Sequence, residues 1–161
     1  MDTKVKVFVG IVLVSAIFIG KAISMAGGPN DEAQIQDALA ASIEASREGR
    51  AGGVMDKLST KFRINNEIPA SFRQIAQFIK DAKPDITVAP ATPVVSGDEA
   101  KMKTSVDFRM KMGDSESKQK FDDVTLIFRK EAAREWVVIP SHKWRLAEVE
   151  AGSFNAAEMA Q

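Results

Sequence analysis

AKMKTSVDFRMKM, running from Ala100 to Met112, decides the fold. Its even positions (Ala100, Met102, Thr104, Val106, Phe108, Met110, Met112) are apolar or Thr. Its odd positions (Lys101, Lys103, Ser105, Asp107, Arg109, Lys111) are charged or Ser. A period of two sends successive side chains to opposite faces, so the stretch reads as a long strand with one buried and one wetted face. Such a strand needs partners on both edges and a cover for its apolar face, and the rest of the chain must supply them.

The chain has 161 residues, of which 45% are apolar and 27% charged, the composition of a globular domain. That length buries a core without staples. Formal net charge is zero, and without residues 1–26 the remainder holds 19 basic and 21 acidic side chains. No basic footprint for nucleic acid is built. The absence of Cys excludes disulfides, zinc–thiolate sites, thiol nucleophiles and a lipidated Cys. There is one His and no Tyr.

At the N-terminus, Lys4 and Lys6 precede an uncharged run from Val7 to Gly20 that includes Val7, Phe8, Ile11, Leu13, Ile17 and Phe18. Two readings compete over residues 1–26. A cleaved signal peptide has a basic start, an apolar run of about 7–15 residues and a small-x-small exit, which Ser24-Met25-Ala26 supplies. A retained signal anchor instead extends the apolar character past Lys21 through Ile23 and Met25, reaching the ~20 residues that span a bilayer. The anchor is the preferred reading. In both, the leading lysines stay in the cytoplasm and the domain lies on the extracytoplasmic side, secreted if the segment is cleaved.

Residues 27–30 form a linker, and residues 31–146 form the domain. Asn30 caps a helix whose inner face is Ile35, Ala38, Leu39, Ser42, Ile43 and Ser46. Gly49 ends it. Val54, Met55, Leu58 and Phe62 mark a second helix. Pro69 opens a third, with Phe72, Ile75, Ala76 and Ile79 as its stripe and Pro84 as its stop. From Asp85 the period changes to two. Pro90 and Pro93 confine the first strand to an edge or a bulge, and Gly97-Asp98 makes a tight hairpin turn into the long strand. Asp114 to Lys120 reads as a charged loop, Phe121 to Lys130 as a strand, Glu131 to Glu135 as a turn and Trp136 to Leu146 as the last strand. Residues 147–161 read as a tail. The sum is an α+β fold: three helices packed on one face of a curved antiparallel sheet of about four strands.

On three pieces of sequence the chain resembles the nuclear-transport-factor-like superfamily, a cystatin-like α+β roll shared with ketosteroid isomerases and polyketide cyclases. These are Leu58-Ser59-Thr60-Lys61-Phe62, the hairpin Val94 to Ala100, and the closing pair Leu126 to Lys130 with Glu135 to Val138. The resemblance spans roughly residues 31–146. It implies a fold that serves isomerases, dehydratases, small-molecule binders, dimerisation modules and membrane-anchored scaffold subunits, and fold alone does not choose among them.

Enzymes of this roll use a pocket between sheet and helices, with an acidic base and a Tyr or protonated-acid donor. Without Tyr the phenolic donor is missing. Asp107, flanked by Ser105 and Arg109, is the general-base candidate, against the plainer reading of a solvated strand face. His142, near Trp136 and Trp144, is the second candidate, against a packed histidine. Met102, Val106, Phe108, Met110, Leu126 and Trp136 line the interior, as pocket wall or as core. No residue set has metal-ligand or nucleotide spacing, so no metal and no cofactor are expected. Ile127, Val137 and Ile139 fall out of phase beside Asp107 and Arg109, and a fully wetted face has no use for them. The expected function is a non-catalytic binding or assembly module held at the membrane by its N-terminal helix. It engages a protein partner or a second copy through the outer sheet face. The alternative is a small-molecule pocket protein or isomerase/dehydratase-type enzyme.

Overall fold

A computed structural model describes residues 30–67, 71–112, 115–135 and 139–152. The apolar N-terminal segment, Pro69, Trp136, Val137 and residues 153–161 lie outside them. Helix α1 is Asp31–Arg47, α2 is Ala51–Met55 and α3 is Phe72–Ala82. The strands are β1 Leu58–Ile64, β2 Asp85–Val88, β3 Val94–Ser96, β4 Glu99–Met112, β5 Ser115–Glu135 and β6 Ile139–Ala151.

Helix α1 starts where its cap chemistry places it: the Asn30 side chain accepts from the Ala33 N–H at 2.8 Å, and Asp31 and Glu32 follow in the first turn. It buries Ile35, Leu39, Ser42, Ile43, Ala45 and Ser46. Ser46 Oγ donates to the Pro84 carbonyl at 3.0 Å, pinning the helix end to the start of β2. Helix α3 begins at Phe72, with Ser71 and Gln74 forming a reciprocal capping box. Its buried residues are Ile75, Phe78 and Ile79, while Phe72 is exposed, so the stripe is shifted from the expected one.

The sheet has six strands, not about four, in the order β1-β6-β5-β4-β2 with β3 also paired to β4. Two strands are extra: β1, which the sequence presents as helix, and β3, because the expected first strand is split at Ala89 to Pro93 into β2 and β3. Val54, Leu58 and Phe62 are spaced by four, a spacing that suits a helical stripe and one face of a strand equally well. The helix in fact stops at Met55, and Leu58, Phe62 and Ile64 turn inward from a strand parallel to β6. Residues 115–120 and 131–135, expected as loop and turn, belong to β5, which runs 21 residues. Residues 147–151 belong to β6 and not to a tail. Glu116, Lys118 and Lys120 face solvent, so that end of β5 has the composition of a loop, whereas Ala147, Glu148, Val149 and Ala151 are buried in β6.

Strand β4 covers the predicted stretch, and Gly97-Asp98 forms the two-residue turn between Ser96 and Glu99, with Gly97 at φ +60°. On that edge the segment Ala89 to Pro93 separates β2 from β3, and Pro90 and Pro93 leave no continuous ladder to extend.

One buried cluster joins Ile35, Leu39 and Ile43 of α1, Ile75, Phe78 and Ile79 of α3, and the inward residues of all strands except β3. The helices pack closely enough that glycine is required at one place. A Cβ on Gly53 would sit 2.8 Å from the Ala45 Cβ, whereas one on Gly52 would meet nothing within 4 Å. Gly52→Ala should therefore raise stability by about 0.5–1 kcal/mol through helix propensity. Gly53→Ala should lose about 1–3 kcal/mol, because the overlap between two short side chains forces backbone to move. Chemical denaturation of the two variants side by side checks the pair.

Candidate interaction face

The inner face of the sheet is apolar. Met102, Val106, Phe108, Met110 and Leu126 are each at most 9% exposed and belong to the single core cluster shared with α1 and α3. Trp136 lies outside the described residues.

Charge sits on the outer face because β4 alternates. Asp107 and Arg109 are exposed there, between buried Val106, Phe108 and Met110. Asp107 stands between Thr87 on β2 and Lys120 on β5, and Arg109 between Asp85 and Lys118. Lys120 donates to Asp122 at 2.7 Å; that bond, with a smaller contribution from Asp107, holds its ammonium above the usual lysine value. A bulge in β5 opposite Thr104 to Val106 lets Asp122 and Asp123 both face solvent while Phe121 and Val124 stay in the core.

Ile127 also points outward, between Lys101 on β4 and Glu148 on β6, yet it is only 4% exposed. A second bulge, at Ala147, interrupts the β5–β6 register beside it, and Ala147 is 2% exposed. Among the described residues, Glu148 is the one carboxylate counted as buried; it accepts from the Asn66 N–H at 3.2 Å across β1. Val137 lies outside the described residues. Ile139 pairs with Glu135 at the start of β6.

Next to this patch is a polar cluster that the sequence reading missed. Ser59 on β1 is buried, and its hydroxyl donates to Glu131 on β5 while accepting from the Lys61 N–H. Arg145 on β6 reaches Glu131 at 3.5 Å, and its Nε is buried with no acceptor. Asp56, at the foot of β1, is held below the usual carboxylate range, chiefly by the Lys57 ammonium and more weakly by Lys143 and Arg145.

His142 shares a strand face with Trp144 but is exposed, opposite Ala132. Trp144 is 2% exposed, and its Nε1–H donates to Asp31 at 2.9 Å. Lys130 pairs with the same carboxylate at 2.9 Å and lies 5.1 Å from the centre of the Trp144 ring. These contacts pull the Asp31 carboxyl below its ordinary value, the indole hydrogen bond most strongly. The triad clasps the first turn of α1 to β5 and β6. It was legible in principle: Val124, Leu126, Phe128 and Lys130 share the inner face, so Lys130 had to find an acid. Among the described residues, no three His, Asp or Glu side chains gather to hold a metal ion, and no helix is long and apolar enough to cross a membrane.

No family model matches the chain, and no curated protein matches it. Solved structures do. A putative Ca/calmodulin-dependent kinase II association domain from Exiguobacterium sibiricum superposes with a TM-score of 0.61 at 14% identity, covering 82% of this chain and 98% of that one. An NTF2-like protein with a cystatin-like fold from Novosphingobium aromaticivorans gives 0.54 at 18% identity, over 80% and 87% of the two chains. A putative ketosteroid isomerase from Shewanella frigidimarina gives 0.51 at 14%, over 76% and 96%. The fold is therefore the NTF2-like, cystatin-like α+β roll. At these identities the likeness defines architecture and nothing further.

Proposed function

We propose that this chain is an exported, membrane-anchored binding or assembly module without catalytic activity, an accessory subunit of a larger membrane complex. One observation carries the reading: the side chains that would line a pocket fill the core, while the unusual chemistry lies on the outer face. There Asp107 and Arg109 are exposed, and the apolar Ile127 lies between Lys101 and Glu148. The run from Val7 to Gly20 supports the anchor. The association domain among the structural neighbours is a fold-level precedent for assembly. The outer face then meets a protein partner or a second copy of the chain. The catalytic alternative has its precedent in the isomerase, but its candidates Asp107 and His142 both stand exposed, and it gains no support from their surroundings.

A pull-down from native membranes in mild detergent, read by mass spectrometry, tests the proposal. Arg109→Glu should lose most of the captured partner without lowering the unfolding midpoint, because the side chain is exposed. Undiminished capture by both Arg109→Glu and Ile127→Ser would sink the outer face as the docking surface.

A further inference from the structure

Three successive rows of the outer face carry opposite charges on the two sides of β5. Lys103 and Glu150 flank Thr125, Lys101 and Glu148 flank Ile127, and Glu99 and Arg145 flank Arg129. The sign changes on β4 and on β6 at the same row. The members of each pair stand two strand spacings apart, about 10 Å, with β5 between them, so they do not meet within one chain. Lys101 and Arg129 both reach Glu99, and Arg145 reaches Glu131. Among the described residues no ion pair reaches Lys103 or Glu150, and both are exposed.

We propose that this face binds a second copy of the chain about a twofold axis running along β5. The inference rests on the outer face as the docking surface and commits it to one partner. Turning one sheet over about β5 lays β4 of each copy on β6 of the other, a self-complementary contact. All three rows then meet opposite charge: Lys103 over Glu150, Lys101 over Glu148 and Glu99 over Arg145. Thr125 and Ile127 lie on the axis without charge, and Arg129, also on it, has Glu99 of its own chain at 3.3 Å. On the flanks Arg63 is in register with Glu148 and Val94 with Lys101, so Arg63 comes over Val94 and its stem covers a side chain that is 72% exposed. Asp122 and Asp123 lie beyond the first row, with Lys120 on Asp122, and Glu131 lies beyond the third, opposite Lys143. An axis across the strands would instead set Lys101 on Lys101 and Glu148 on Glu148 within the same three rows. It would also send the two Asp31 clasps to opposite ends, whereas an axis along β5 keeps them at one level, as two chains tethered to one bilayer require. The matched patch is about 20 Å by 13 Å between its outermost Cα atoms, well under the ~800 Å² per partner of a standard interface. The dimer is therefore weak, and a covalent trap is the way to register it.

The absence of cysteine makes such a trap simple to build. The full chain carrying Thr125→Cys, in mild detergent, is treated with a short bismaleimide, and covalent dimer is read on a denaturing gel. Asp37→Cys, exposed on α1 away from the sheet, reports random collision. The label on the axis should cross-link several-fold more than the one on the helix. The first row is the one to reverse, because Glu148 is 8% exposed and already accepts from the Asn66 N–H. In the Thr125→Cys chain, Lys103→Glu or Glu150→Lys alone should each bring cross-linking down to the collision level. Mixing the two single variants, under different tags, should restore it between them, and so should both changes in one chain. Equal cross-linking at positions 125 and 37, no response to either reversal, or no restoration in the mixture overturns the proposal. The membrane pull-down separates its failure from that of the docking face. A chain without the cross-link that still captures a different protein in an Arg109-dependent way refutes the second copy and leaves the face, whereas loss of both refutes the two together.

Discussion

Phe128→Ala should lower the unfolding free energy by about 3–5 kcal/mol, the usual cost of emptying a large aromatic site in a packed core. Phe128 is 1% exposed at the centre of the sheet, between Ala100 on β4 and Leu146 on β6. Its cross-strand neighbours are a small side chain and one already fully engaged, so neither can swing into the space. Ile127, one position earlier, is nearly as buried but belongs to the outer face and not to the core cluster. Its cross-strand neighbours there are Lys101 and Glu148, long side chains able to close over a gap. Ile127→Ala should therefore cost about 2 kcal/mol or less, at the low end for such truncations. Urea titration followed by far-ultraviolet circular dichroism measures both. Equal losses would mean that the outer face is packed as tightly as the inner one.

The second large effect concerns the clasp. Trp144→Phe removes the indole N–H while keeping most of the ring, and Asp31→Asn removes the charge from its partner. Each should cost about 1–2 kcal/mol at pH 7, the lower part of the range for hydrogen bonds to charged groups because the Asp31 side chain is 35% exposed. The two losses should add only in part, since Trp144→Phe deletes a hydrogen bond that Asp31→Asn weakens by removing its charge. Their pH dependence has a definite sign. The folded state holds the Asp31 carboxyl below its ordinary value through the Trp144 hydrogen bond and then Lys130. The stabilisation is therefore complete above the unfolded value of about 3.9 and is lost as pH falls through the lower folded value. Thermal melts of wild type and Trp144→Phe should differ above about pH 5 and converge as pH falls below the unfolded value. A gap that widened in acid would overturn the assignment.

How much of this was legible depends on how each residue's period can be read. Strand β4 and its Gly97-Asp98 turn were clear, because thirteen positions alternate without an error. The first face of α1 and its Asn30 cap were equally plain. Strand β1 was not, since a spacing of four satisfies two periods at once and only pairing with β6, far along the chain, decides between them. The ends of β5 were lost to their charge: Glu116, Lys118 and Lys120 are strand residues facing water, and water-facing strand and loop share a composition. At the candidate face, Asp107 and Arg109 could be placed from parity alone. The buried Ser59 hydroxyl and the orphaned Arg145 donor could not, because they meet across three strands whose registers include two bulges.

The parallel pairing of β1 with β6 has a kinetic consequence. The β4–β5 and β5–β6 ladders join segments adjacent in the chain and can zip from their own turns, while Leu58 meets Leu146 across 88 positions. Closing that loop is the late, entropically costly event of folding. Until it happens, β6 presents a bare edge with Leu146 and Val149 along it, open to pairing with another chain.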